Sequence, residues 1–167
     1  MKSFLKAFAV RSLVILPLAI TLTDSVASVA GVQGRSMQPT LNPDIAVDHI
    51  LLDKWSVRDH RHRRGEVVVL WSPDEPTVAV IKRIIALEGD VVKTLSYKDP
   101  FVKIPRGHCW VEGDNHIHSR DSNTFGPIPV ALIDARATHV IWPPARIQKI
   151  ETVVSPDRIE RYGRAGR

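Results

Sequence analysis

Two residues stand where their types are costly and their chemistries complement each other. Ser36 lies in "GRSMQPTLNP" (34–43), a loop stiffened by Pro39 and Pro43 and opened by Gly34. Proline fixes φ and glycine admits a close backbone approach, so the segment reads as a rigid turn. Lys82 interrupts "TVAVIKRIIAL" (77–87), the most apolar run of the globular part. Strand alternation puts it on one face with Val78, Val80 and Ile84, and puts Arg83 on the other with Ala79, Ile81 and Ile85. A lysine on an apolar face loses the solvation of its ammonium, which lowers its pKa and frees the neutral amine to act as a general base. A serine hydroxyl needs such a base to attack a carbonyl. Ser36 and Lys82, 46 positions apart, thus fit a Ser-Lys dyad closed by tertiary structure. Each also has a plainer reading, since serines beside Gly and Pro serve turns and lysines at strand edges snorkel.

A third cluster, "VEGDNHIHSRDSNTFGPIP" (111–129), is dense in polar groups and bent by Gly113 and Gly126. Ser119 and Asp121 are the residues there that could orient a base. His116 and His118 with Asp114 and Asp121 invite a metal, but their spacing matches no standard zinc pattern, so neither metal nor cofactor is expected.

The elements that must position these groups are short and rich in Val and Ile. Strand-like runs occur at 45–55, 66–71, 77–87, 90–95, 108–113 and 137–143, separated by turn signals such as "WSPDEP", "EGD", "KDP" and "FGPIP". They predict a mainly β domain of coiled antiparallel sheets or a distorted barrel. A length of 167 residues suits one such domain plus an appendage. The single cysteine, Cys109, excludes an intrachain disulfide and reads as a small buried hydrophobe in "GHCWVEGDN". Net charge is +5, yet its one dense cluster, Arg58, Arg61, Arg63 and Arg64, has no aromatic interleaving and reads as a solvated loop, so no nucleic-acid partner is expected. The polar, basic tail from 146 to 167 is expected to be helical or disordered and receives no role.

The N-terminus is a membrane-directed element. Residues 1–11 carry Lys2, Lys6 and Arg11 without an acid, and 12–34 contain no Lys or Arg. The strongly apolar part, Leu13 to Leu22, is short for a spanning helix and includes Pro17. A cleavable signal peptide ending at "SVASVA" fits the same pattern. Cleavage after Ala30 would leave Ser36 six residues from a new terminus, where little would hold it, which favours a retained anchor over 12–32. The positive-inside rule then puts the globular part on the side opposite residues 1–11.

Taken together, "GRSMQPTLNP", "RRGEVVVLWSP", "VIKRIIALEGDVV" and "VEGDNHIHSRDSNTFGPIP" resemble the type I signal peptidases, within them the compact mitochondrial inner membrane protease branch, over nearly all of residues 10–143. The resemblance implies coiled antiparallel sheets (33–145) behind an N-terminal transmembrane helix. It implies a serine endopeptidase that removes sorting sequences on the intermembrane-space side of the inner membrane. Ser36 would be nucleophile and an oxyanion donor through its backbone N–H, Lys82 general base, Ser119 a hydrogen-bond partner of the lysine, Asp121 a structural acid, and Met37 packing beneath the dyad. Substrates would bind as an added strand, and a related subunit would be the partner in a heterodimer. A partner-dependent or non-catalytic scaffolding subunit is the alternative. Two positions depart from the family's pattern. Gly34 has no side-chain hydroxyl to serve as second oxyanion donor, and Asn123 replaces an arginine, which leaves Asp121 to find another partner, with Arg83 the candidate.

Overall fold

The computed structural model describes residues 26–44 and 46–160. Its frame is an antiparallel sheet in the order β1 (Ala27–Gly31), β2 (His49–Asp53), β9 (Ile133–Trp142), β3 (Val67–Trp71), β4 (Ala79–Leu87), β7 (His108–Glu112) and β8 (Ile128–Pro129), with β10 (Gln148–Lys149) also paired to β9. A three-stranded sheet of β11 (Ile159–Glu160), β5 (Val91–Lys93) and β6 (Phe101–Lys103) lies apart from it.

The long strand β9 organises the large sheet. Ile133, Ala135 and Ala137 alternate inward along it, so its two edges can pair with β2 and β3 while one face stays in the core. Register shifts at Leu51/Leu52, Val69/Leu70 and Ile84/Ala86 insert bulges, which increase local twist and let the sheet coil instead of lying flat. Apolar side chains collect in three clusters: one around Met37, Leu41, Ile50 and Val140, one around Val68, Leu70, Ile84 and Val111, and one around Trp110, Val92 and Ile104. The mainly β expectation is met, and each of the six anticipated runs contains or overlaps a strand.

Two expectations change. The anchor expected over 12–32 falls mostly outside the described residues, as do residues 1–11, but its last part is β1, paired residue for residue with β2 from Ala27↔Asp53 to Gly31↔His49. Small residues let this strand approach closely while Ala30 packs on the first core cluster. Among the described residues no helix is long and apolar enough to cross a membrane. The C-terminal segment, expected in part to be helical or disordered, carries β10 and β11 within its described residues, where they add to the two sheets and Ile150 is buried.

Candidate functional site

The loop carrying Ser36 is held from beneath and from behind. Met37 and Leu41 are buried in the first core cluster, and Leu41 N–H donates to the Met37 carbonyl at 2.9 Å. Asn42, at φ 54°, occupies the left-handed region that asparagine tolerates better than most side chains. Its amide donates to the carbonyls of Val32 (2.8 Å) and Gly34 (3.2 Å), and its oxygen accepts from Asp48 N–H (2.8 Å). The Asp48 carboxylate, fully buried, accepts from Asn42 N–H (2.8 Å) and from the Arg146 fork at 2.9 and 2.8 Å. Gly34 has φ +88° with open space where a Cβ would project, so backbone conformation, not crowding, selects glycine there.

Lys82 sits in the middle of β4 opposite Val68 of β3. The expected alternation holds, with Val80 and Ile84 in the second apolar cluster and Ile81 against the first. The lysine is 4% exposed. Burial pushes its pKa below the ordinary lysine value, while the charges of Asp121 and Asp114 pull it partly back. Half-buried Ser36 and Lys82 line one cleft of about 300 Å³, walled by Ala30, Val32, Ile50, Val69 and Val80. A larger cleft of about 520 Å³ is lined by the Arg83–Asp114 pair and contains neither Ser36 nor Lys82.

The polar loop after β7 meets the Ser36 loop directly. Asn115 N–H donates to the Ser36 carbonyl at 2.9 Å. Ser119 Oγ donates to Asp121 Oδ2 (2.6 Å) and accepts from Gly113 N–H (3.1 Å), which also reaches Asp121 Oδ2 (3.0 Å). The Ser119 proton thus goes to Asp121, and no hydrogen bond joins Ser119 to Lys82 among the described residues. Nor does Arg83 pair with Asp121: its Nε and Nη2 grip Asp114 at 2.8 and 2.7 Å, and Nη1 donates to the carbonyls of Gly65 and Glu151, both at 2.7 Å. Thr40 Oγ1 donates to Asp114 as well (2.6 Å), tying the serine loop to the lysine strand. Asp121 is served by Ser119, by Gly113 N–H, and by Asn123 through its backbone (3.0 Å) and side-chain amide (3.1 Å). The geometric reason is register, because Arg83 lies opposite Glu112 on β7 and so faces the start of the loop, where Asp114 is, and not its end.

Gly113 is the contact point of the two loops. A Cβ there would overlap the Ser119 hydroxyl and the Ser36 carbonyl oxygen. Gly113→Ala is expected to destabilise the fold by about 2 kcal/mol through overpacking, lowering Tm by roughly 6 °C. Thermal unfolding followed by circular dichroism checks this, and an unchanged Tm would show that the loops part without cost.

Cys109 is buried as expected, its thiol pushed up to about 12 by desolvation, which removes it as a nucleophile. In the arginine cluster, Arg64 forms a bidentate pair with Asp90 (2.7 and 2.6 Å). Residues with site contacts that the sequence did not single out are Thr40, Asn42, Asp48, Glu112, Arg146 and Arg158. The signal for the acids was available, since Asp48 and Glu112 each interrupt strand-like runs as Lys82 does.

The signal peptidase, peptidase S26, family matches residues 5–99 and 93–142. The chain is 49% identical over 159 residues to mitochondrial inner membrane protease subunit 2 of Danio rerio, covering 94% of this chain and 87% of that one. It is 51% identical over 160 residues to the human protein of that name, covering 95% and 91%. To mitochondrial inner membrane protease subunit 1 of Xenopus tropicalis it is 40% identical over 114 residues, 66% of each chain. The match over residues 5–99 and 93–142, with relatives about half identical over more than nine-tenths of the chain, places this chain in the signal peptidase family S26.

Proposed function

We propose that this S26 peptidase is a membrane-anchored serine endopeptidase that removes sorting or signal sequences from precursor proteins delivered to the mitochondrial intermembrane space, with Ser36 as nucleophile and Lys82 as general base. The observation that carries the reading is the shared cleft, lined by a half-buried serine and by a lysine kept from water. Neutral Lys82 takes the Ser36 proton as Oγ attacks the scissile carbonyl. It returns that proton to the leaving amine as the C–N bond breaks, leaving an acyl-enzyme. Water then attacks the ester, Lys82 accepting its proton, and Ser36 is restored. The Ser36 backbone N–H stabilises the oxyanion. At Gly34 a backbone N–H or a water supplies the second donor. Ser119 and Asp121 hold the loop that packs against Ser36.

The cleft is lined by the end of β1 with the residues after it (30–33) and by the start of β4 (79–82), so an extended peptide would lie beside strand backbone for β-augmentation. Its small and β-branched lining favours short side chains near the cut. The segment 12–32 retains the role of anchor up to the start of β1, with the catalytic domain on the intermembrane-space side. A related inner membrane protease subunit 1 is the partner, in keeping with the relatives that bear that name. In the test, a precursor bearing a sorting sequence is presented to the full chain with that subunit, and N-terminal sequencing locates the product. One cut is expected, and substitution of tryptophan at the residue before it is expected to block processing. No cut, or indifference to the tryptophan, overturns the reading.

A further inference from the structure

Arg158 lies in the C-terminal segment, far along the chain from the loop that holds Ser119 and Asp121. Its guanidinium donates to Glu112 from Nη1 (2.8 Å) and Nη2 (2.6 Å), and from Nε to the Lys93 carbonyl (3.1 Å). Glu112 is 1% exposed at the end of β7, immediately before Gly113. The carboxylate also accepts from Trp110 Nε1 (2.8 Å) and from the Asn123 amide (2.9 Å). Asn123 turns that same amide nitrogen to Asp121 Oδ1 (3.1 Å), and its oxygen accepts from Leu95 N–H (2.8 Å). Asp121 in turn holds Ser119 and Gly113.

We infer that Arg158 is a positioning residue, which through Glu112 and Asn123 fixes the Asp121 carboxylate and with it the Ser119–Gly113 contact behind Ser36. The logic is directional. A buried carboxylate without a cation costs free energy and reorients to find donors. Asn123 Nδ2 gives one N–H to Glu112 and the other to Asp121, so a Glu112 carboxylate that shifts on losing Arg158 carries that amide with it. The longer of the two contacts, the one to Asp121, is then stretched, Asp121 loses a donor on the side away from Ser119, and the loop supporting Ser36 loosens. Arg158, Glu112 and Asn123 do not line the cleft that holds Ser36 and Lys82, so ground-state binding of the substrate is spared. The effect falls on kcat.

This inference rests on the proposed Ser36–Lys82 dyad. Its test uses the full chain with its partner subunit, measuring kcat and KM for precursor processing and normalising to folded protein from thermal melts. Arg158→Met and Asn123→Ala are each expected to lower kcat about tenfold with KM within about twofold. The double variant is expected to be no slower than the slower single, because both break one chain of contacts. Wild-type kcat per folded molecule in Arg158→Met overturns the inference, as does a roughly hundredfold, multiplicative loss in the double. Should Arg158→Met fail to fold, Arg158→Lys, which keeps the charge but loses the fork, carries the test. It is expected to lower kcat about threefold alone and no further in the Asn123→Ala background, and a further fall overturns the inference. The two readings fail separately. Activity surviving Ser36→Ala or Lys82→Ala removes the dyad, whereas loss in those variants with full kcat in Arg158→Met removes only the role of Arg158.

Discussion

Lys82→Met is expected to lower precursor processing by about 10³-fold while raising, not lowering, thermal stability. The kinetic part follows from the removal of the group that accepts the Ser36 proton, since a positioned general base contributes roughly 10² to 10⁴ in rate. Lys82→Arg is expected to lose as much, because a guanidinium remains protonated and cannot accept a proton. The stability part follows from burial. Among the described residues the ammonium has no direct carboxylate partner, as Asp114 is gripped by Arg83 and Thr40, and Asp121 by Ser119 and Asn123. An apolar side chain of similar length removes that desolvation cost. The pH dependence has a definite sign. Activity needs the neutral amine, whose pKa burial lowers and the charges of Asp121 and Asp114 raise. Activity therefore falls as pH drops through the lowered value. Asp114→Asn removes a charge that favours the ammonium and exposes Lys82 to an unneutralised Arg83, so the acid limb should move to lower pH. Cleavage undiminished in Lys82→Met, or an acid limb moving upward in Asp114→Asn, would overturn the assignment of the base.

Residue types carried the candidate site further than they carried the fold's edges. Lys82 was legible because a cation in the most apolar strand needs a reason, and alternation fixed the face it shares with Val80 and Ile84. The central strands were legible from their Val and Ile content. Strands β1, β6, β8, β10 and β11 were not, because two to five residues at a sheet edge carry little periodicity and form only when a neighbour offers its backbone. Pairing of ions was also beyond the sequence. Arg83 and Asp114 find each other through the register of β4 on β7, and Arg146 and Arg158 reach buried acids 98 and 46 positions away, separations that no local pattern encodes. A C-terminal segment read as a basic tail thus supplies the cations for two of the buried acids, Asp48 and Glu112.

Arg146→Ala is the sharpest test of that last point, with an expected loss of about 3 kcal/mol and a fall in Tm of roughly 10 °C for a domain of this size. Arg146 is partly exposed, so its own desolvation is modest, whereas its partner Asp48 is fully buried. Removing the guanidinium leaves a buried carboxylate with only Asn42 N–H as donor. Water must then enter or the loop must open. The route of opening is set by Asn42, whose amide holds the Val32 and Gly34 carbonyls of the segment leading into Ser36. Arg146 also donates to the Thr40 carbonyl (3.1 Å), so the same deletion loosens the loop from its other end. Processing activity is accordingly expected to fall before the fold is lost, with the decline in kcat visible at temperatures where circular dichroism still reports a native sheet. Arg146→Lys, keeping the charge without the fork, should restore about half of the stability. The double variant Asp48→Asn with Arg146→Met should be more stable than Arg146→Ala, since no buried charge is left unpaired and the introduced amide oxygen can still accept from Asn42 N–H. If Arg146→Ala instead melts with the native protein, Asp48 is being satisfied by solvent, and the C-terminal segment contributes nothing to holding the Ser36 loop.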